Sequence, residues 1–186
     1  MALKSTIYKA VLQVADIDHG FYQDLSLTLA RHPSETDERM MIRLAAMALS
    51  AHALQDRCQG DGRLAFGAGL SDPDDPDMSL TDFTGRKRLW VEVGQPEDKP
   101  LTRACSQADE VVVYAYQSSS PIWWRNLQSK VMRLDRLSVW HLPVPAGESL
   151  SRLAERSMQL QATVQEGALT LSSERGSVYV EPERWK

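Results

Sequence analysis

Pro76-Asp77-Met78-Ser79-Leu80-Thr81-Asp82-Phe83-Thr84-Gly85-Arg86-Lys87-Arg88-Leu89-Trp90-Val91-Glu92-Val93-Gly94 is the stretch on which the fold turns. Residues 77–81 and 88–93 read as two strands around a glycine-containing reversal. If the chain reverses on two residues, Thr84 and Gly85, then Asp77 and Glu92 stand directly opposite each other on one face of the hairpin. Opposed carboxylates repel, and a divalent cation between them turns that repulsion into coordination. Hard oxygen donors from adjacent strands suit Mg²⁺, which keeps several waters and accepts a phosphate oxygen. A three-residue loop with a bulge would shift the pairing by one and put the two acids out of line.

Outward from this hairpin the pattern alternates between strands and helices. Upstream, Thr6–Ala15 and Tyr22–Ala30 read as a hairpin, followed by a helix from about 34 to 54 that Ser34 caps and whose first turn holds acids. Its apolar stripe runs through Met41, Leu44, Ala45, Ala48 and Leu49; Glu38 projects along it, while Glu35 and Asp37 lie nearer the wet side. Residues 56–76 read as loop. Downstream, a helix runs from Pro96 to about Ala108, and Glu110–Tyr116 is a nearly continuous apolar run, the mark of a strand buried on both faces. Pro121–Leu134 reads as helix, Leu137–Leu142 as strand and Glu148–Arg156 as a short helix. Residues 158–164, 168–172 and 178–180 form a β meander. This order predicts an α/β domain around one central mixed sheet flanked by helices, with an N-terminal hairpin (about 6–30), a core (about 34–142) and a small C-terminal meander (about 158–185) in a single domain of 186 residues.

The chain is 42% hydrophobic and 25% charged with a net charge of -4, a composition that excludes collagen, coiled coil and long disordered tails and gives no overall basic field. Cys58 and Cys105 stand without CxxC spacing and read as reduced thiols, so a cytoplasmic protein is expected. The first twenty residues carry acids inside their apolar stretch and read as no signal peptide, and no run reaches membrane-spanning length. The four histidines, at 19, 32, 52 and 141, lack HxxxH spacing and read as turn or surface residues; Ser34 has no evident histidine partner. Trp123 and Trp124 point about 100° apart on a helix, so one ring is expected in the core and the other on a rim, where Trp124, Gln128 and Lys130 would bind a substrate's bases and phosphates.

Proline-aspartate, a strand, a glycine-containing turn and a strand ending in a carboxylate resemble the layout of the PD-(D/E)XK nuclease superfamily. Over nearly its whole length the chain is more closely similar to the YaeQ family, a bacterial family, through MALKSTIYKA (1–10), LTLARHPSETDERMM (27–41), LWVEVGQPEDK (89–99), Ile122-Trp123-Trp124, Gln128-Ser129-Lys130, LSVW (137–140) and LQATVQEG (160–167). The resemblance implies a restriction-endonuclease-like core. Asp77 and Glu92 would hold Mg²⁺ or Mn²⁺, with Glu38 matching the acid often found on the first core helix. The motif lysine falls at Gly94, which removes a donor and a positive charge. Lys99 and Arg103, four apart on the next helix, and Gln95 are the candidates to replace it. The implied activity is phosphodiester hydrolysis in DNA or RNA. The alternative is a nuclease scaffold that binds nucleic acid, or a protein of the transcription or repair machinery, without cutting.

Overall fold

Helix α1, Asp37–Ser50, is buried around most of its circumference beyond the first turn, with Met40, Met41, Ile42, Leu44, Ala45, Ala46, Met47 and Ala48 all enclosed. A helix of that kind must be enclosed, and α1 lies between two sheets. The computed structural model describes residues 4–68, 70, 72, 74–144 and 149–186. One face of α1 meets the first sheet, built from β1 (Thr6–Asp16), β2 (Phe21–Arg31), β8 (Ser157–Gln165), β9 (Ala168–Ser173) and β10 (Gly176–Val180) in the order β10-β9-β8-β1-β2. The other meets a six-stranded sheet of β3 (Gly62–Phe66), β4 (Met78–Asp82), β5 (Lys87–Val93), β6 (Val111–Ala115), β7 (Leu137–His141) and β11 (Glu183–Arg184), ordered β11-β7-β6-β5-β4-β3. Helices α3 (Asp98–Gln107) and α4 (Ser120–Val131) cover the outer face of this second sheet, and α2 (Ala53–Cys58) follows α1.

The mixed α/β class is therefore as expected, but there are two mixed sheets and not one. The N-terminal hairpin and the C-terminal meander are halves of a single sheet, joined by parallel pairing of β1 with β8, Lys9 opposite Ser157 through Asp16 opposite Val164. Local periodicity carries no record of a pairing between segments 150 residues apart, which is why the two read as separate appendages.

Period-two alternation sets the layers. Leu89, Val91 and Val93 of β5 and Val112 and Tyr114 of β6 face α1, whereas Trp90, Val111 and Val113 face α3 and α4. Every residue of β6 is buried, as the run at 110–116 predicts for a central strand. Other boundaries move. The α1 N-cap is Thr36, whose Oγ1 accepts from the Arg39 N–H at 3.1 Å; Ser34 instead meets His32 Nδ1 at 2.6 Å. The expected helix of 34–54 is interrupted at Ala51-His52 and resumes as α2, and the expected loop of 56–76 contains β3. The expected helix at 148–156 is one 3₁₀ turn, Leu150–Leu153, with Glu148 outside the described residues.

Candidate functional site

Strands β5, β6 and β7 run parallel, so their carboxyl ends share one edge of the sheet, the edge at which α/β sheets hold ligands. Antiparallel β4 starts at that edge, which puts Asp77 beside the end of β5. The reversal between them is three residues long, with the Asp82 N–H donating to the Arg86 carbonyl at 3.0 Å. Asp82 Oδ1 collects the N–H groups of Thr84 and Arg86, each at 3.0 Å, and Gly85 takes φ +88. A bulge opposite Leu80 and Thr81 then absorbs the extra residue, so that Leu80 faces Leu89 and Met78 faces Val91. Beyond the bulge the register is the one a two-residue turn would give. Asp77 and Glu92, one step further on each strand, come to the same edge.

Their surroundings differ. Asp77 is 3% exposed. Its Oδ2 accepts from the Val93 N–H at 2.7 Å, and both its oxygens accept from Arg39 Nη2, at 2.8 and 2.9 Å. The same Nη2 donates to the Val93 carbonyl at 3.1 Å. One guanidinium nitrogen thus fills a cradle of two carboxylate oxygens and a carbonyl. Behind it, Arg39 Nη1 donates to Glu35 Oε1 and Arg43 Nη2 to Glu35 Oε2, both at 2.9 Å, forming a chain of alternating charge along one face of α1. Glu35 is buried in this chain and not on the wet side.

Glu92 has no cationic partner among the described residues. Burial pushes its carboxyl up to about 7, and the nearby Asp77 adds to the shift; the Trp90 Nε1–H, donating to Oε1 at 2.6 Å, and the charge on Arg39 oppose it. A half-buried carboxyl raised towards neutrality beside a second carboxylate is a candidate functional group.

The other expected residues divide. Glu38 accepts from the Ser149 hydroxyl and from the Ser151 N–H, holding the 3₁₀ turn. Gln95 Nε2 donates to Ser119 Oγ at 2.7 Å and Ser120 Oγ at 3.2 Å, tying β5 to the start of α4. Lys99 is exposed on the first turn of α3, while Arg103 pairs with Asp74 at 2.6 Å on the loop that leads to Asp77. Gly94 takes φ +114, a conformation reserved largely for glycine, although a Cβ there would meet open space.

The half-buried Trp124 has one face taken up by a neighbouring ring. It stacks on Trp185, centroids 6.1 Å apart, which in turn stacks on His141; Trp123 donates to the Pro96 carbonyl, and both indoles of the pair are half-buried. Gln128 and Lys130 are exposed on α4, Lys130 reaching Asp98 at the start of α3 at 3.7 Å.

Arg39 and Tyr116 were not evident in the sequence. Tyr116 follows β6 at the same edge, and burial raises its hydroxyl in a field that includes Arg39, Glu38, Glu35 and Asp77. The signal available for Arg39 was its place one turn after Glu35, which reads equally well as a surface pair.

The Mg²⁺ ion that the nuclease resemblance implies does not fit this donor set. Nη2 of Arg39 already sits against the oxygens of Asp77 and the Val93 carbonyl, and a divalent cation in the same cradle would stand within van der Waals reach of a fixed positive charge.

The sequence profile of the YaeQ protein family matches residues 1–182. The chain is 44% identical over 187 aligned positions to a Salmonella typhi protein described as uncharacterized protein YaeQ, covering all of this chain and 98% of that one. It is 43% identical to the protein of the same description from Escherichia coli K12, with the same coverage. The crystal structure of YaeQ from Xanthomonas axonopodis pv. citri superposes with a TM-score of 0.88 at 39% identity, covering 98% of each chain. That of Pseudomonas syringae superposes at 0.85 and 31% identity, covering 98% of this chain and 96% of the other. In the six-stranded sheet with its carboxylate edge, the five-stranded sheet around α1, and the sequence from end to end, the chain belongs to the YaeQ family.

Proposed function

We propose that this chain is a nuclease-like module that binds nucleic acid through its outer helices and the carboxylate edge without a divalent cation and without cutting it. The observation that carries this reading is Arg39 Nη2 in the cradle of Asp77 and the Val93 carbonyl. A permanent cation there neutralises Asp77, which would otherwise repel a phosphate. Gly94 in place of a lysine and the engagement of Gln95 by Ser119 and Ser120 point the same way, since both remove donors from a reacting phosphate. Lys99 on α3 and Lys130 on α4 are exposed cations on one layer and supply the phosphate contacts.

Mg²⁺- or Mn²⁺-dependent phosphodiester hydrolysis, with Asp77, Glu92 and Glu38 around the metal and Lys99 or Arg103 at the phosphate, is the second reading. It is favoured by Glu92, whose pKa near 7 beside a second carboxylate is the environment a bound cation would relieve. It requires Arg39 to leave Asp77.

Fluorescence anisotropy with single- and double-stranded DNA and RNA, in Mg²⁺, Mn²⁺ and chelator, separates the readings. Binding is expected to be unaffected by chelator and to fall with salt. Replacing Lys99 and Lys130 together by alanine is expected to reduce the log–log salt slope by roughly 1–2. Absence of binding to every nucleic acid tested overturns the proposal, and cleavage in Mn²⁺ that Asp77→Asn abolishes establishes the second reading instead.

A further inference from the structure

On the far side of α1 from the carboxylate edge, the end of β1, the β1–β2 turn and the junction of α1 with α2 bring together Asp16, His19 and His52. Their donor atoms all lie within 4.8 Å of one another. His19 Nδ1 is 3.0 and 2.9 Å from Asp16 Oδ1 and Oδ2, and His52 Nδ1 is 3.4 Å from Oδ2. Tetrahedral zinc, with bonds near 2.1 Å, sets its ligand atoms about 3.4 Å apart, so each imidazole nitrogen already stands near ligand spacing from the Asp16 carboxylate.

Two further observations point to a cation. Asp16 is fully buried, and among the described residues no lysine or arginine pairs with it, so it has no permanent counter-charge. A buried carboxylate without one is costly. His52 Nδ1 is closed off from solvent and has no hydrogen-bond partner; it faces Asp16 Oδ2 at an angle that makes no bond. An orphan imidazole nitrogen beside a buried carboxylate has a lone pair or a proton with nowhere to go.

Both imidazoles also line a cavity of about 320 Å³ between the two sheets, walled by Leu89, Val112 and Trp140 and floored by the Tyr114 hydroxyl, 3.2 Å from Ser50 Oγ. We propose that Asp16, His19 and His52 form a transition-metal site of the Zn²⁺ class, its remaining coordination position open to this cavity. Two imidazoles and one carboxylate select zinc, cobalt or nickel over magnesium, and three protein ligands with a free position are the arrangement of sites that handle a small molecule. The rings are stacked, centroids 3.7 Å apart and 3° from parallel, which sets their nitrogens side by side and not convergent. Loading therefore tilts one ring. His19 is the one able to move, since its side chain is 43% exposed on a turn that ends at Gly20 with φ +65, whereas His52 is held at the end of a buried helix.

The test is titration of the untagged, metal-free full-length chain with Zn²⁺ by calorimetry and with Co²⁺ by visible absorption. One equivalent is expected to bind, with the intense bands of four-coordinate Co²⁺. His52→Ala is expected to weaken binding roughly tenfold or more. His19→Gln, on the exposed turn and therefore compatible with folding, is expected to do the same, while Glu92→Gln leaves binding unchanged. Failure of the wild-type chain to bind either ion, or binding that survives both histidine substitutions, overturns the proposal. Neither result bears on nucleic-acid binding at the opposite edge.

Discussion

Glu92 shows how a single side chain ties the fold to pH. Burial raises its carboxyl to about 7 in the folded chain, against 4.5 for an unperturbed glutamate. In the interval between these values the unfolded chain has released its proton and the folded chain has kept it, so the folded state binds more protons there. Stability contributed by Glu92 is therefore fully present below pH 4.5, falls as pH rises towards 7 and stays lost above it, the reverse of a salt-bridged carboxylate. Glu92→Gln keeps an acceptor for the Trp90 N–H and removes the titration. Denaturant unfolding at pH 5 and pH 8 is expected to show the variant gaining about 1–3 kcal/mol on the wild type at the higher pH and little at the lower. An equal effect at both values would mean that the carboxyl is not held protonated. The register that carries Asp77 and Glu92 to one edge was legible beforehand because it is a matter of one hairpin, although the reversal is three residues with a compensating bulge and not the two-residue turn expected. Arg39 was not, because its contact with Asp77 depends on how α1 packs across the sheet, and nothing in the spacing of residues 35–43 encodes that.

At the scale of the element, the exit of β5 decides what the edge can hold. The Gly94 N–H donates to the Tyr114 carbonyl at 2.9 Å, so the strand keeps its ladder to this point and then turns at φ +114. Any residue with a Cβ meets backbone strain there, not crowding, because the space around it is open. Gly94→Ala is expected to cost about 1–2 kcal/mol in thermal or chemical unfolding. Gly94→Lys, which restores the residue type of the nuclease motif, is expected to cost as much and to restore no cleavage, since the side chain leaves a bent backbone and not a strand. A stability loss below about 0.5 kcal/mol for Gly94→Ala would show that the turn relaxes easily. The same geometry explains why glycine at this position was read as a missing lysine: the sequence reveals which residue is absent from a motif, while the backbone angle that demands glycine emerges only when β5 is paired with β6. The histidines repeat the lesson at longer range. HxxxH spacing detects ligands on one helix, and His19 and His52 come from a turn and a helix end 33 residues apart.

For the whole molecule, the consequential feature is that β1 and β2 build one sheet with β8, β9 and β10, which follow more than 120 residues later. Strand β8 lies between β1 and β9, and β8, β9 and β10 bury Met158, Leu160, Val164, Leu169, Leu171, Val178 and Val180 against the core around α1. Seven such side chains at about 1.5–3 kcal/mol each represent roughly 10–20 kcal/mol, comparable with the entire stability of an ordinary domain. A chain ending at Arg156 therefore loses the neighbour of β1, uncovers Leu12 and Val14, and is expected to show no cooperative melt in circular dichroism and no protected amides in hydrogen exchange. A chain ending at Val180 is a different case. It loses the two-residue edge strand β11, the backbone hydrogen bonds of Trp185 and Lys186 with Val139, and the Trp185 ring that stacks on Trp124 and His141, so it is expected to melt cooperatively a few degrees below the full chain. If the chain ending at Arg156 instead folded cooperatively, strands β3 to β7 with α1, α3 and α4 would be self-sufficient, and the five-stranded sheet would be the appendage that local sequence patterns suggest. The parallel register of β1 with β8 argues for the opposite result, because it places β8 at the centre of a sheet and not at its edge.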